Sequence, residues 1–291
     1  MLAHDVSPTN ERTRRLAHRT RGHTHSPITR LMSPGDLGEL VKPFVFLDYF
    51  QMERFEGPGM ADHPHSGLAT HTTLLSGSLD YRDSTGQFGR LSPGSVEWMQ
   101  AGGGVWHGGT PLRGDAVRGY QLWVSLPEPL ELAPARSEYV DASEIEGDGR
   151  VRVLLGSHAG MKSRIASPSD MTYLHVRLAD GESWRYRPAP GHDVAWLAVH
   201  EGKLHVAGAA LQREMAVFEE GHDAILVRAE GATELVLGSA AKHPHPLVCG
   251  SYSVHTSERA LSEGEAGIRR VASSLGRGGL RAWIASKASR A

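Results

Sequence analysis

Only one of the 291 residues is a cysteine, Cys249. An intramolecular disulfide is therefore excluded, a buried structural thiol is the expected role, and a reducing, cytoplasmic compartment is the simplest home. No stretch approaches the roughly 20 apolar residues that cross a bilayer. The first thirty residues lack the apolar core of a secretory signal, so a soluble, unprocessed protein with no membrane partner is expected. A surplus of one charge is missing too. The 31 Lys and Arg against 33 Asp and Glu leave a net charge of −2, which gives no electrostatic reason to expect nucleic acid as a partner. Helical periodicity is nearly absent ahead of the segment 142–149.

What is abundant is punctuation. The 34 glycines and 16 prolines break the chain every eight to twelve residues, the rhythm of an all-β sandwich or barrel. From "PFVFLDYF" (43–50) onward the chain reads as short strands: "LATHTTLLSG", "SLDYRDSTG", "SVEWMQAGGG", "VRGYQLWVSLP". A hairpin turn is expected at Ser84, Thr85 and Gly86, where glycine can take a positive φ.

The length suits two domains. "ASEIEGDG" (142–149) looks like the end of the first, and "HPHSGLATHTTLLSG" (63–77) lies without a gap against "PAPGHDVAWLAVHEG" (188–202). One barrel used twice is the simplest account. In that alignment Pro188 and Pro190 fall where His63 and His65 stand, so the second barrel lacks the histidine pair. The Arg- and His-rich start, "ERTRRLAHRTRGHTHSPITR", has no acidic relief after Glu11 and reads as a disordered arm, with a transit peptide as the alternative. After residue 250 the composition turns helical, with Thr256 or Ser257 as N-cap; one helix is expected there, weakened by Gly264 and Gly267.

Two residues apart on a strand, side chains share a face about 6.5–7 Å apart. His63 and His65 can thus converge on one ion from a single strand. The glycine-rich "AGGGVWHGG" (101–109) delivers His107 near the end of another strand. Three imidazoles from two elements suit Fe(II), Ni, Cu or Zn, although any single one of the 17 histidines is more simply a polar residue at a strand end. His71 shares their parity but lies about 20 Å along an extended strand. A second histidine pair, His243 and His245, sits among prolines with no partner-bearing glycine turn nearby and reads as a loop. Trp98, Met99 and Trp106 neighbour His107 and read as aromatic and apolar core rather than pocket wall.

These segments resemble the pirin family of the cupin superfamily. The resemblance rests on "DHPHSG", "LSPGSVEWMQAGGGVWH", "YQLWVSLP" and the order of two β-blocks followed by a helix. It implies an all-β fold of two tandem cupin (jelly-roll-like) barrels with a C-terminal α-helix. The expected layout is a basic arm over 1–30, an N-terminal barrel over 31–140 with the metal site, a C-terminal barrel over 141–240 without the metal histidines, and a helix-bearing segment over 241–291. The resemblance assigns the metal, Fe(II) or another divalent transition ion, to His63, His65, His107 and a glutamate two residues after the third histidine. That position is Gly109, and Ala69 stands where relatives carry a second acidic residue. A three-histidine site, a carboxylate supplied from elsewhere, or no metal would each follow. Glu97 and Asp62 are the nearest acidic residues in sequence. The implied activity is a metal-dependent dioxygenase of the quercetinase type, acting on a flavonol or a similar small enol or aromatic substrate. The alternative is a non-catalytic, protein-binding regulator, either a transcriptional coregulator or a modulator of a metabolic enzyme. A monomer is expected in either case.

Overall fold

β-Branched and aromatic runs between the turns form antiparallel strands, as their propensity to pack on a pleated surface dictates. The computed structural model describes residues 12–57, 59–276 and 278–288. These residues build two β-barrels in succession, followed by C-terminal helices. The first barrel sets a seven-stranded sheet, centred on Leu68–Ser76, Val117–Ser125 and Phe44–Met52, against a four-stranded sheet. The smaller sheet runs His63–His65, Val105–Pro111, Leu79–Asp83, Phe88–Leu91.

Side-chain alternation decides what each sheet face meets. Along Val117–Ser125, Tyr120, Leu122 and Val124 enter a core shared by the two barrels. The alternate residues Gln121 and Trp123 turn toward Thr72 and His65 inside the first barrel. Tyr173, Trp196 and Val236 complete the shared core from the second barrel, whose own interior is apolar, with Leu174, Val176, Leu197, Val199, Leu235 and Leu237. The first barrel's interior is the polar one.

The aligned segments occupy equivalent places. Leu68–Ser76 lies between Val96–Gln100 and Val117–Ser125, and Val194–Val206 lies between Glu214–Phe218 and Ile225–Ala240. The proline-bearing lip at 187–190 forms no strand. The hairpin turn is also where expected: Gly86 has φ 103°, and Asp83 Oδ1 accepts from the Thr85 amide at 2.7 Å.

Three expectations need correction. The basic arm is not disordered over residues 12–30. Leu16–Thr20 pairs with Glu214–Phe218 at the edge of the second barrel, and Ile28–Met32 pairs with Phe44–Met52. The acidic relief missing locally comes from far along the chain: Arg19 and Arg21 bond Glu214 at 3.1 and 3.0 Å, and Arg15 bonds Glu219 at 3.0 Å. Residues 1–11 of that arm lie outside the described residues. Cys249 is exposed rather than buried, because it closes a two-residue surface pairing with Val254. The tail holds two helices, Glu258–Leu275 and Gly279–Ala288. Ser257 is the N-cap of the first. Gly264 and Gly267 do not weaken it but let it dock, since a Cβ on Gly267 would come 1.7 Å from the Gly103 carbonyl oxygen. Among the described residues no helix is long and apolar enough to cross a membrane.

The barrels are joined by a buried ionic knot as well as by apolar contact. Glu234 of the second barrel is reached by Arg177 Nε at 2.6 Å and His200 Nε2 at 2.9 Å. Arg118 from the first barrel lies 3.4 Å from the same carboxylate and 2.6 Å from Glu201. His200 Nδ1 lies 3.0 Å from the Tyr120 hydroxyl. Burial alone would raise the Glu234 carboxyl, but His175, His200 and Arg177 outweigh it and hold it well below its ordinary 4.5. A depressed carboxylate stabilises the fold above its unfolded value and loses that contribution on acidification. Glu234→Gln is therefore expected to cost about 3 kcal/mol at pH 7, and the gap to wild type should begin to narrow as pH falls below 4.5 and go on narrowing with further acidification. Urea denaturation of both proteins at pH 7 and at about pH 3 checks it.

Candidate metal centre

The site begins with strand register. His63–His65 pairs antiparallel with Val105–Pro111 so that His107 stands directly opposite His63, and Val105 opposite His65. Pro64 turns outward between the two histidines, and all three imidazoles enter the barrel interior. One ligand nitrogen from each lies within 4.8 Å of the others.

The hydrogen bonds determine which nitrogens are free. His63 Nδ1 lies 3.0 Å from the Ala61 carbonyl oxygen, and His65 Nδ1 lies 3.1 Å from that of Tyr252. A carbonyl only accepts, so both Nδ1 atoms carry the proton. His107 Nδ1 lies 3.4 Å from Glu97 Oε1 and donates to it. Burial, followed by the nearby His107 ring, pushes His63 down to about 4. Burial drives His65 well below its ordinary value. Both rings are therefore neutral at pH 7, with Nε2 presenting a lone pair. His63 Nε2 and His107 Nε2 are 3.0 Å apart, close enough for one ion to take both. The donor set fits a transition-metal ion: three imidazoles, each oriented by a hydrogen bond at Nδ1, with coordination positions left open.

The walls come from distant parts of the chain. The Trp123 ring stands 4.9 Å from His65. The Tyr252 ring lies 5.8 Å from His63 and 6.0 Å from His65 and is 44% exposed at the opening. Behind His107, Glu97 accepts a 2.5 Å bond from the Thr72 hydroxyl. Burial would raise the Glu97 carboxyl, but the bonds from His107 and Thr72 outweigh it and leave the group lowered.

The other candidates lie elsewhere. Asp62 is bonded to Arg82. His71 lies on the opposite face of its sheet, with Nδ1 3.2 Å from the Thr73 hydroxyl and its ring 5.2 Å from Tyr173 in the shared core. Ala69 is also in that shared core. His243 and His245 sit with their rings 5.4 Å apart, tied to Lys42 through backbone bonds of 3.0 and 2.8 Å. Trp98 is in the shared core, Met99 in a small buried cluster, and Trp106 donates to the Ile268 carbonyl at 3.1 Å; none lines the site. His200, Glu201 and Glu234 also converge, but Arg118 and Arg177 already neutralise them.

Sequence reasoning did not find Trp123, Tyr252 or the position of Glu97. The only signal for Glu97 was an acidic residue alternating with Val96 and Trp98 in a strand buried on both faces.

A family model described as Pirin matches residues 17–124. The chain is 34% identical over 212 residues to a pirin-like protein of Caulobacter vibrioides, covering 69% of this chain and 76% of that one. It is 32% identical over 266 residues to a candidate quercetin 2,3-dioxygenase of Pseudomonas aeruginosa, covering 84% and 92%. A bacterial pirin of Escherichia coli solved in complex with nickel(II) shares the fold at a TM-score of 0.62 and 19% identity, over 79% of this chain and 98% of that one.

Gly109 shares the inward face of its strand with His107, and Leu79 fills the space before it. A Cβ there would meet the Leu79 methyls at 3.1 and 3.2 Å. Gly109→Glu is expected to destabilise the protein by about 1–3 kcal/mol through overpacking. Leu79→Ala in the same chain should recover part of that loss, as measured by the urea midpoint.

Proposed function

The chain belongs to the pirin family, and from that premise we propose that it is a metal-binding protein of two cupin barrels acting as a quercetinase-type dioxygenase. Its substrate is a flavonol or another small enol-bearing aromatic. The observation that carries this reading is the set of three converging Nε2 atoms, each ring fixed by a bond at Nδ1, beneath an opening walled by Trp123 and Tyr252. Kinship with a candidate quercetin 2,3-dioxygenase over most of both chains supports the substrate class. The nickel(II) complex of the Escherichia coli pirin supports the metal. We take Fe(II) as the ion here.

His63, His65 and His107 would hold the ion. Bound there, it supplies Lewis acidity and the one-electron chemistry that a reaction of an enol with O2 requires. The chain's own residues do the rest. Ala61 and Tyr252 carbonyls keep two rings in the productive tautomer, and Glu97 holds the proton on His107 Nδ1. Trp123 and Tyr252 offer flat apolar surface to an aromatic substrate. Position 109 is a glycine with Leu79 before it, so that position supplies no carboxylate to take the substrate's hydroxyl proton. Enols that ionise without a protein base are therefore the preferred substrates. A monomer in the cytoplasm, serving a small molecule rather than nucleic acid, fits the near-neutral charge.

Untagged protein should carry close to one equivalent of transition metal by elemental mass spectrometry and consume quercetin aerobically. His63→Ala with His107→Ala should lose both. Wild-type protein that folds yet takes up no Fe(II) under anaerobic conditions would overturn this reading and favour a protein-binding regulator.

A further inference from the structure

Two carboxylates buried in the first barrel stand beside His107 with no lysine or arginine paired to them. Glu97 lies behind His107, as described. Asp83 stands directly opposite His107 on the neighbouring strand and is fully buried. Its Oδ1 accepts from the Thr85 amide at 2.7 Å and the Thr85 hydroxyl at 2.5 Å. Its Oδ2 accepts from the Tyr139 hydroxyl at 2.7 Å, and that hydroxyl is also 3.4 Å from Glu97 Oε1. Tyr139 is fixed in place by stacking on Tyr81, with centroids 3.5 Å apart.

Asp48 has Arg30, Glu214 has Arg19 and Arg21, and Glu234 has Arg177, whereas buried Glu131 is held by His255 and Thr256. Among the described residues, neither Glu97 nor Asp83 forms an ion pair with lysine or arginine. Buried charge at such a cost persists when it is paired or faces a metal. Two carboxylates placed directly behind one of three converging imidazoles complement a divalent cation held by those imidazoles.

We propose that Glu97 and Asp83, linked through the Tyr139 hydroxyl, are the counter-charge of the ion on His63, His65 and His107. They do from behind His107 what the carboxylate absent at position 109 cannot do from in front. Glu97 acts directly, as the carboxylate that orients a ligating histidine and raises its basicity. Asp83 acts one step further out, aligning the hydroxyl that shares the Glu97 oxygen. Both are positioning residues, and this inference rests on the metal reading above. It explains how a site with no anionic ligand keeps affinity for a dication.

The test compares Glu97→Gln, Asp83→Asn and their combination with wild type, using Co(II) as probe. Three quantities are read: affinity by chelator competition, the visible Co(II) absorption, and the melting temperature with and without metal. Each single variant should bind Co(II) about 10–100-fold more weakly, the pair more weakly still, with a shifted absorption band. The rise in melting temperature on adding Co(II) should be smaller in each variant than in wild type, because the counter-charge acts on the bound cation. Glu234→Gln, as control, should melt lower and keep wild-type Co(II) affinity. Wild-type affinity in both single variants would overturn the counter-charge alone. A melting temperature lowered equally with and without metal would overturn it as well, by showing a purely structural role. Wild-type protein that takes up no Co(II) would overturn the metal reading and this inference together.

Discussion

A bond between residues 187 positions apart, from His65 Nδ1 to the Tyr252 carbonyl, orients the most buried ring of the histidine trio inside the first barrel. Together with Ala61 at His63 and Glu97 at His107, it occupies every Nδ1 and leaves three Nε2 atoms converging on one point. Without those acceptors each ring could present either nitrogen. With them His63 Nε2 and His107 Nε2 come within 3.0 Å of each other. Ligand choice, barrel polarity and the covering of the site all follow from this constraint.

The covering is supplied by the chain after residue 247. Ser66, adjacent to His65, donates to Ser253 at 2.8 Å and lies 3.0 Å from His255 Nε2. His255 Nδ1 lies 3.1 Å from Glu131, which also takes the Thr256 amide and hydroxyl at 2.7 Å each. Serine, histidine and glutamate in that order have the connectivity of a hydrolytic triad, but no substrate can reach them. Ser66 is fully buried, and Gly264 of the helix lies so close that a Cβ would come 2.6 Å from its hydroxyl oxygen. The group clamps the 251–256 segment, and so sets where Tyr252 places its carbonyl and its ring. The second barrel is a scaffold by comparison. Its interior is apolar, its lip has prolines for histidines, and its polar residues are spent on the Glu234 knot that fixes the two barrels together.

Much of this was legible in the chain. Glycine and proline spacing gave the strand rhythm, the match of 63–77 to 188–202 predicted the repeated strand position, and two histidines one residue apart, with a third after a glycine turn, pointed to the trio that the fold brings together. The remainder was hidden for physical reasons. The basic arm reads as disordered because its acidic partners, Glu214 and Glu219, lie about two hundred residues away. Gly264 and Gly267 read as helix weakeners because propensity is local, whereas their value is the close approach to Ser66 and Gly103. Glu97 and Tyr252 meet the site through sheet pairing and a chain reversal that no short spacing encodes, and Gly109 gave no hint that Leu79 occupies the space before it.

X-ray absorption fine structure of the metal-loaded wild-type protein tests the central claim most directly, because it counts and types the atoms bound to the ion. The account predicts three imidazole nitrogens, completed by light-atom ligands from solvent, and a count that falls to two in His107→Ala and is unchanged in Glu97→Gln. Fewer than three imidazoles in wild type, or a coordination shell altered by Glu97→Gln in the way loss of a directly bound carboxylate would alter it, would contradict the arrangement described.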